Sequence, residues 1–229
     1  FIVIDKSDSM RSDYSDGLNQ FQASQKFFIK FVEACYRFHT ISLYGSIMYN
    51  SNIEVRNELN PFNYNFRERM IIENERPGGG TRMFTAMKKA ADIILRANQG
   101  KKYPDAVFRI IVISDGQDRC GIEETKEVSN FILQNKFRID AIIVSNDIAR
   151  GLVAISEHTG GIATFPRSVQ ECLELFNKEE FFNVDLREFG PMHAPNLTTN
   201  DFKNLPHYAV DDLHSDIKIK PKIYADPKR

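Results

Sequence analysis

The sequence predicts an α/β domain of the doubly wound, Rossmann type: a mostly parallel central sheet with helices on both faces, followed by an extended C-terminal arm. Three observations predict it. Short apolar runs alternate along the chain with stretches of helical spacing, the pattern of parallel strands joined by crossover helices. Runs such as Phe1-Ile2-Val3-Ile4 and Ile110-Ile111-Val112-Ile113 are continuously apolar, which suits strands buried on both faces. From about Asn183 the helical spacing stops and Pro191, Pro195, Pro206, Pro221 and Pro227 accumulate, which reads as an arm that leans on the domain or on a partner. The expected organisation is a domain over residues 1–182 and an arm over 183–229.

Taken in order, Phe1 to Ile4 forms the first strand. Leu18, Phe21, Phe28, Phe31, Val32 and Cys35 share one face of a helix from Leu18 to Phe38. Thr40 to Met48 reads as a strand, Ile53 to Val55 as a short edge strand, and Glu68 to Glu73 as a short helix. Pro77 and three glycines then break the chain. Thr81 opens a helix with Phe84, Met87, Ala91, Ile94 and Leu95 in one stripe. Val107 to Ser114 is a strand interrupted only by Arg109, and Glu123 to Asn135 a helix. Ile139 to Ser145 is a strand, Ile148 to Thr159 a helix, and Ile162 to Phe165 a last short strand. Ser168 caps a helix from Val169 to Phe176. In the arm, Ile217-Lys218-Ile219-Lys220 alternates as an edge strand would.

Composition narrows the function. The 229 residues include 18 Phe and no Trp, so Phe and Tyr carry the aromatic burial. A net charge of −1 with scattered basic residues argues against a nucleic-acid partner. No apolar run reaches membrane-spanning length. Cys35, Cys120 and Cys172 are odd in number and show no pairing pattern, which points to reduced thiols and a cytoplasmic setting. Cys35 and Cys172 fall on apolar faces, while Cys120 is placed for partial exposure. The chain opens on Phe1 within a core strand, so it reads as a piece of a longer protein with further domains or subunits.

The chemistry-bearing residues sit at strand ends. Asp5-Lys6-Ser7-Asp8-Ser9 follows the first apolar strand, Gly78-Gly79-Gly80-Thr81 lies mid-chain, and Ser114-Asp115-Gly116 follows another buried strand. Hard oxygen donors at the carboxyl edge of a parallel sheet suit magnesium, calcium or manganese rather than zinc. The glycine run lacks the Gly-Lys-Ser/Thr ending of a phosphate loop. The five His residues show no zinc-ligand spacing, and Asp118 and Glu123 read as solvated.

Together, in this order, the three segments resemble the von Willebrand factor type A (VWA) domains and their metal-ion-dependent adhesion site. The resemblance covers Phe1 to about Phe182. It implies that Ser7, Ser9 and Thr81 are hydroxyl ligands of a divalent cation, with Asp5 and Asp115 as the carboxylates acting through water or through hydrogen bonds to those hydroxyls. Mg2+ is the expected ion, with Mn2+ or Ca2+ as alternatives. It implies a non-enzymatic protein–protein interaction domain in which an exposed Asp or Glu of a partner completes the coordination, with no membrane insertion. Lys6, Arg11, Arg82 and Arg119 would form a basic rim. Asn19, residues 60–65 and residues 118–124 would supply specificity, and the helix Val169 to Phe176 is a candidate switch by analogy. The family commonly has a small residue where this chain has Asp8, which leaves three roles for it: facing solvent, adding a ligand, or competing with an incoming carboxylate.

Other readings remain at this level. An intracellular adaptor or assembly subunit, an extracellular adhesion module, and a structural subunit with a vestigial metal site share the same motifs. A haloacid-dehalogenase-like phosphatase also begins with a strand ending in Asp, but it needs a second Asp where Ser7 stands.

Overall fold

The computed structural model describes residues 1–37, 42–61, 65–69, 75–118, 120–145 and 149–176. The arm with its Ile217–Lys220 alternation, and Arg119, lie outside the described residues. The elements are β1 (Ile2–Asp5), α1 (Gln20–Arg37), β2 (Leu43–Tyr49), β3 (Ile53–Pro61), α2 (Asn65–Glu68), α3 (Met83–Ala97), β4 (Arg109–Ser114), α4 (Ile122–Gln134), β5 (Arg138–Ile143), α5 (Arg150–His158), β6 (Ala163–Thr164) and α6 (Val169–Phe176). Short 3-10 turns cover Asp8–Arg11 and Gln99–Lys101.

The six strands form one sheet in the order β3-β2-β1-β4-β5-β6. Every pairing is parallel except that of β3 with β2. The α/β doubly wound expectation is therefore correct, with a mixed edge. The chain winds outward from β1 through β2 to β3, then restarts at β4 on the other side of β1. That reversal leaves a crevice beyond the carboxyl ends of β1 and β4, where open α/β sheets bind ligands.

Strand alternation builds two cores. Ile2 and Ile4 point to the side covered by α1 and α6, where Phe27, Phe28, Phe31, Cys35, Cys172 and Phe176 are buried. Val3 points to the other side, with Met87, Ala91 and Ile94 of α3, Ile132 of α4 and Leu152 of α5. In the first core, edge and stacked aromatic contacts join Phe28 to Phe66 and Phe31 to both Tyr44 and Phe176, with ring centroids 5.7–6.4 Å apart. Such pairs add to the area they bury.

Two local expectations are corrected. β3 runs nine residues rather than the three of Ile53 to Val55. Its register against β2 slips between Tyr44 and Ser46 and again between Ser46 and Ile47, and bulges erase the period of two by which a strand is recognised. The short helix lies at Asn65–Glu68 rather than Glu68 to Glu73, and residues 70–74 are outside the described set. The remaining boundaries differ by a few residues. α3, for example, begins at Met83 rather than Thr81.

Candidate metal centre

Asp5 ends β1 and is fully buried. Its Oδ1 accepts the Ser7 N–H at 2.7 Å, an Asx turn that starts the loop. Its Oδ2 accepts two hydroxyls, Ser114 at 2.7 Å and Tyr49 at 3.0 Å. Burial pushes the Asp5 carboxyl up to about 6, against the pull of these hydrogen bonds and with a further upward push from the charge of Asp115. Tyr49 is likewise held well above its ordinary value by burial. Sequence reasoning missed Tyr49 and the role of Ser114. The available signal was positional: Tyr49 ends the neighbouring parallel strand, and Ser114 directly precedes Asp115.

On the loop that this turn starts, the Ser7 and Ser9 hydroxyls hydrogen-bond to each other at 3.0 Å. Two neighbouring ligands of an octahedral ion with bonds near 2.1 Å are separated by about 3.0 Å, so the pair matches one edge of a magnesium coordination shell. Thr81 is also buried, and its hydroxyl has no hydrogen-bond partner among the described residues. Asp115, 2 % exposed, uses Oδ1 to accept the Gln117 N–H at 3.0 Å. Gly116 follows at φ +81°, and a Cβ there would lie 1.9 Å from the Ala149 Cβ. Only glycine lets the chain turn away from Asp115 at this point.

Backbone bonds bring the three loops together. Gly78 N–H donates to Lys6 O at 2.9 Å, and Asp8 N–H donates to Gly79 O at 3.0 Å. From the turn after β2, Asn50 Nδ2 donates to Gly78 O and Gly80 N–H donates to Ser51 Oγ, both at 2.7 Å. The glycine segment is therefore a fastened loop. Asp118 joins the third loop to the second: its Oδ2 accepts the Phe84 N–H at 2.9 Å, and its Oδ1 accepts the Cys120 N–H at 2.9 Å. It caps the N-terminus of α3 from another element. Asp118 was read as solvated, and that reading is corrected.

Other expected contributors separate. Asp8 faces solvent, its side chain 66 % exposed and paired with an equally exposed Arg11 at 3.1 Å. Arg11 also donates through Nε to Pro77 O. Arg82 is exposed as expected. Lys6 does not belong to a basic rim, because it is 8 % exposed and ion-paired with Glu54 and Glu75. Asn19 forms a reciprocal capping box with Gln22 at the start of α1. Among the described residues no three His, Cys, Asp or Glu side chains cluster as metal ligands. The donor set at the switch point is hydroxyl-rich and suits a hard, oxygen-seeking ion.

A doubly wound sheet whose switch point carries the loop of residues 5–9, fastened by backbone bonds to the glycine loop that ends in Thr81, defines a class of α/β domain with a loop surface rich in hard oxygen groups. Residues 1–178 match the family model for the von Willebrand factor type A domain, and the chain belongs to that family. No curated protein matches the chain. Among solved structures, a von Willebrand factor type A protein from Catenulispora acidiphila is 18% identical with a TM-score of 0.62, over 79% of this chain and 41% of that one. Proximal thread matrix protein 1 from the mussel byssus, with a zinc-occupied MIDAS motif, is 19% identical with a TM-score of 0.57, over 77% and 45%. The manganese-loaded Plasmodium vivax TRAP protein is 16% identical with a TM-score of 0.52, over 79% and 71%. At these identities the likeness establishes the fold. Domains of this family typically act as metal-dependent protein-interaction modules.

Proposed function

We propose that the domain is a non-enzymatic interaction module that presents a divalent cation to an acidic side chain of a protein partner. Ser7, Ser9 and Thr81 would hold the ion directly. Asp5 and Asp115 would hold it through water or by orienting the hydroxyls. Magnesium is the first choice, with manganese or calcium as alternatives. A bound divalent ion supplies a concentrated positive charge that only neutral hydroxyls and partly screened carboxylates oppose, so an incoming carboxylate is attracted. The exposed Arg82 beside Thr81 adds to that attraction.

The observation that carries the reading is the pairing of the Ser7 and Ser9 hydroxyls, hydrogen-bonded to each other at 3.0 Å on a loop whose first turn is held by the Asp5 carboxylate. Donors prepared in this way lose little freedom when the ion arrives. The three free thiols, two of them buried, favour a cytoplasmic adaptor or assembly subunit over extracellular adhesion. Calorimetry with Mg2+ and with Mn2+ tests the site. One-to-one uptake, abolished by Ser9→Ala and by Asp115→Ala, is expected. A purified wild-type domain that takes up neither ion removes the proposal and leaves the vestigial-site reading.

A further inference from the structure

Lys6 sits between Asp5 and Ser7 in sequence, yet its side chain leaves the crevice and turns toward the β3 edge. Its Nζ lies 2.8 Å from Glu75 Oε1 and 3.2 Å from Glu54 Oε1. Arg56 of β3 reaches the same Glu75 oxygen at 2.6 Å and Glu54 at 2.6 Å. The side chains of Lys6 and Glu75 are each 10 % exposed and that of Arg56 14 %. The side chain of Glu54 is 43 % exposed. Two cations and two anions therefore form a neutral cluster, open to solvent at Glu54 and closed at Glu75, where one oxygen receives both cations.

Glu75 lies just ahead of the Pro77–Thr81 segment, and Lys6 is where that segment meets the first metal loop through the Gly78 N–H bond to Lys6 O. The ion pairs and the Asn50 and Ser51 bonds thus grip the glycine loop from both ends. We infer that Glu75 is a positioning residue of the cation site: by anchoring to Lys6 and Arg56 it sets the Thr81 loop against Ser7 and Ser9, and so ties metal affinity to the β3 edge. The inference rests on the metal-site reading. Its physical basis is that breaking a buried ion pair leaves uncompensated charge behind, while residues that orient metal ligands influence affinity without touching the ion.

Two measurements test it. Mn2+ titrations compare the wild type with Glu75→Gln, with Glu75→Gln/Arg56→Gln, and with Glu58→Gln as a control on the exposed part of β3. Glu75→Gln is expected to weaken Mn2+ binding by about tenfold to a hundredfold. The double variant restores charge balance but not the anchor and stays weak, while Glu58→Gln matches the wild type. Wild-type affinity in Glu75→Gln overturns the inference, and so does recovery in the double variant, which would reduce the effect to net charge. Amide exchange in EDTA provides a metal-free readout: Gly78 and Gly80 exchange faster in Glu75→Gln while Ile111 to Ile113 do not change. Unchanged exchange at both glycines also overturns it. If the wild type itself takes up no Mn2+, the proposed function fails and the exchange data alone decide the role of Glu75.

Discussion

Asp5 and Asp115 hold matching posts at the switch point, each at the carboxyl end of a parallel strand, and they differ in how much of their bonding is complete. Asp5 accepts one amide and two hydroxyls. Asp115 accepts one amide, from Gln117, and no other hydrogen bond among the described residues. A carboxylate already saturated by protein donors shapes its surroundings, whereas one with an oxygen to spare can still meet a water or an ion. The same acid thus serves as keystone on β1 and as contact group after β4. Substitution should therefore affect both stability and metal uptake at the β1 post, and metal uptake with little loss of stability at the post after β4.

The largest effect is expected from Asp5→Ala. It leaves the Ser7 N–H and the Tyr49 and Ser114 hydroxyls without their acceptor in a buried place, at about 1–3 kcal/mol for each group that finds no substitute. A loss of about 3 kcal/mol in urea unfolding is expected, together with loss of metal uptake. Asp115→Ala is expected to abolish uptake at a cost below about 1 kcal/mol, because it orphans only the Gln117 amide at the loop surface. Equal stability losses in the two variants would break the contrast. Gly116→Ala bears on the post after β4 by another route. Its added methyl meets Ala149 and must adopt a left-handed φ, for about 3 kcal/mol of destabilisation by urea melt.

pH sharpens the same comparison. The carboxyl of Asp5 sits near 6 in the folded domain against an ordinary 3.8. The folded state therefore binds its proton more tightly than the unfolded chain does. This contribution to stability is complete below about pH 4 and is lost as pH rises through about 6. In EDTA, melts of the wild type against Asp5→Asn should show the wild type losing relative stability across that window. Saturating Mg2+, which favours the charged carboxylate, should offset the loss. An Asp5→Asn difference that stays flat with pH would show that Asp5 is ordinarily acidic despite its burial.

The sequence made the fold legible, and with it the positions of the five residues proposed to hold the ion, because both are written in short local signals. Apolar runs mark the strands, turn residues mark their ends, Asp-x-Ser-x-Ser and Ser-Asp-Gly fall at those ends, and Thr81 closes the glycine loop ahead of α3. What it concealed were contacts between segments far apart in the chain. Nothing next to Asp118 says that it caps α3, and nothing next to Lys6 says that Glu54 and Glu75 neutralise it. Charged residues with solvated neighbours in sequence were read as solvated in space, and that inference fails wherever a crossover returns the chain to the same edge. β3 was shortened for a different reason, since two bulges break the alternation that identifies a strand.

The smallest expected effect falls on Asp8, the residue that departs from the family pattern. Its side chain is two-thirds exposed and its partner Arg11 is nearly as open. Exposed pairs of this kind contribute about 0–1 kcal/mol. Asp8→Gly should therefore shift the urea midpoint little, and Mn2+ affinity should stay within about threefold, a change worth well under 1 kcal/mol. An outward-pointing carboxylate on the loop can still act on what approaches. The variant should bind acetate or an acidic peptide at the loaded site somewhat more tightly, because one negative charge has left the mouth, and added salt should erase that difference. A sharp fall in Mn2+ affinity instead would make Asp8 a ligand, and the cation would then be one that accepts more oxygens than magnesium does.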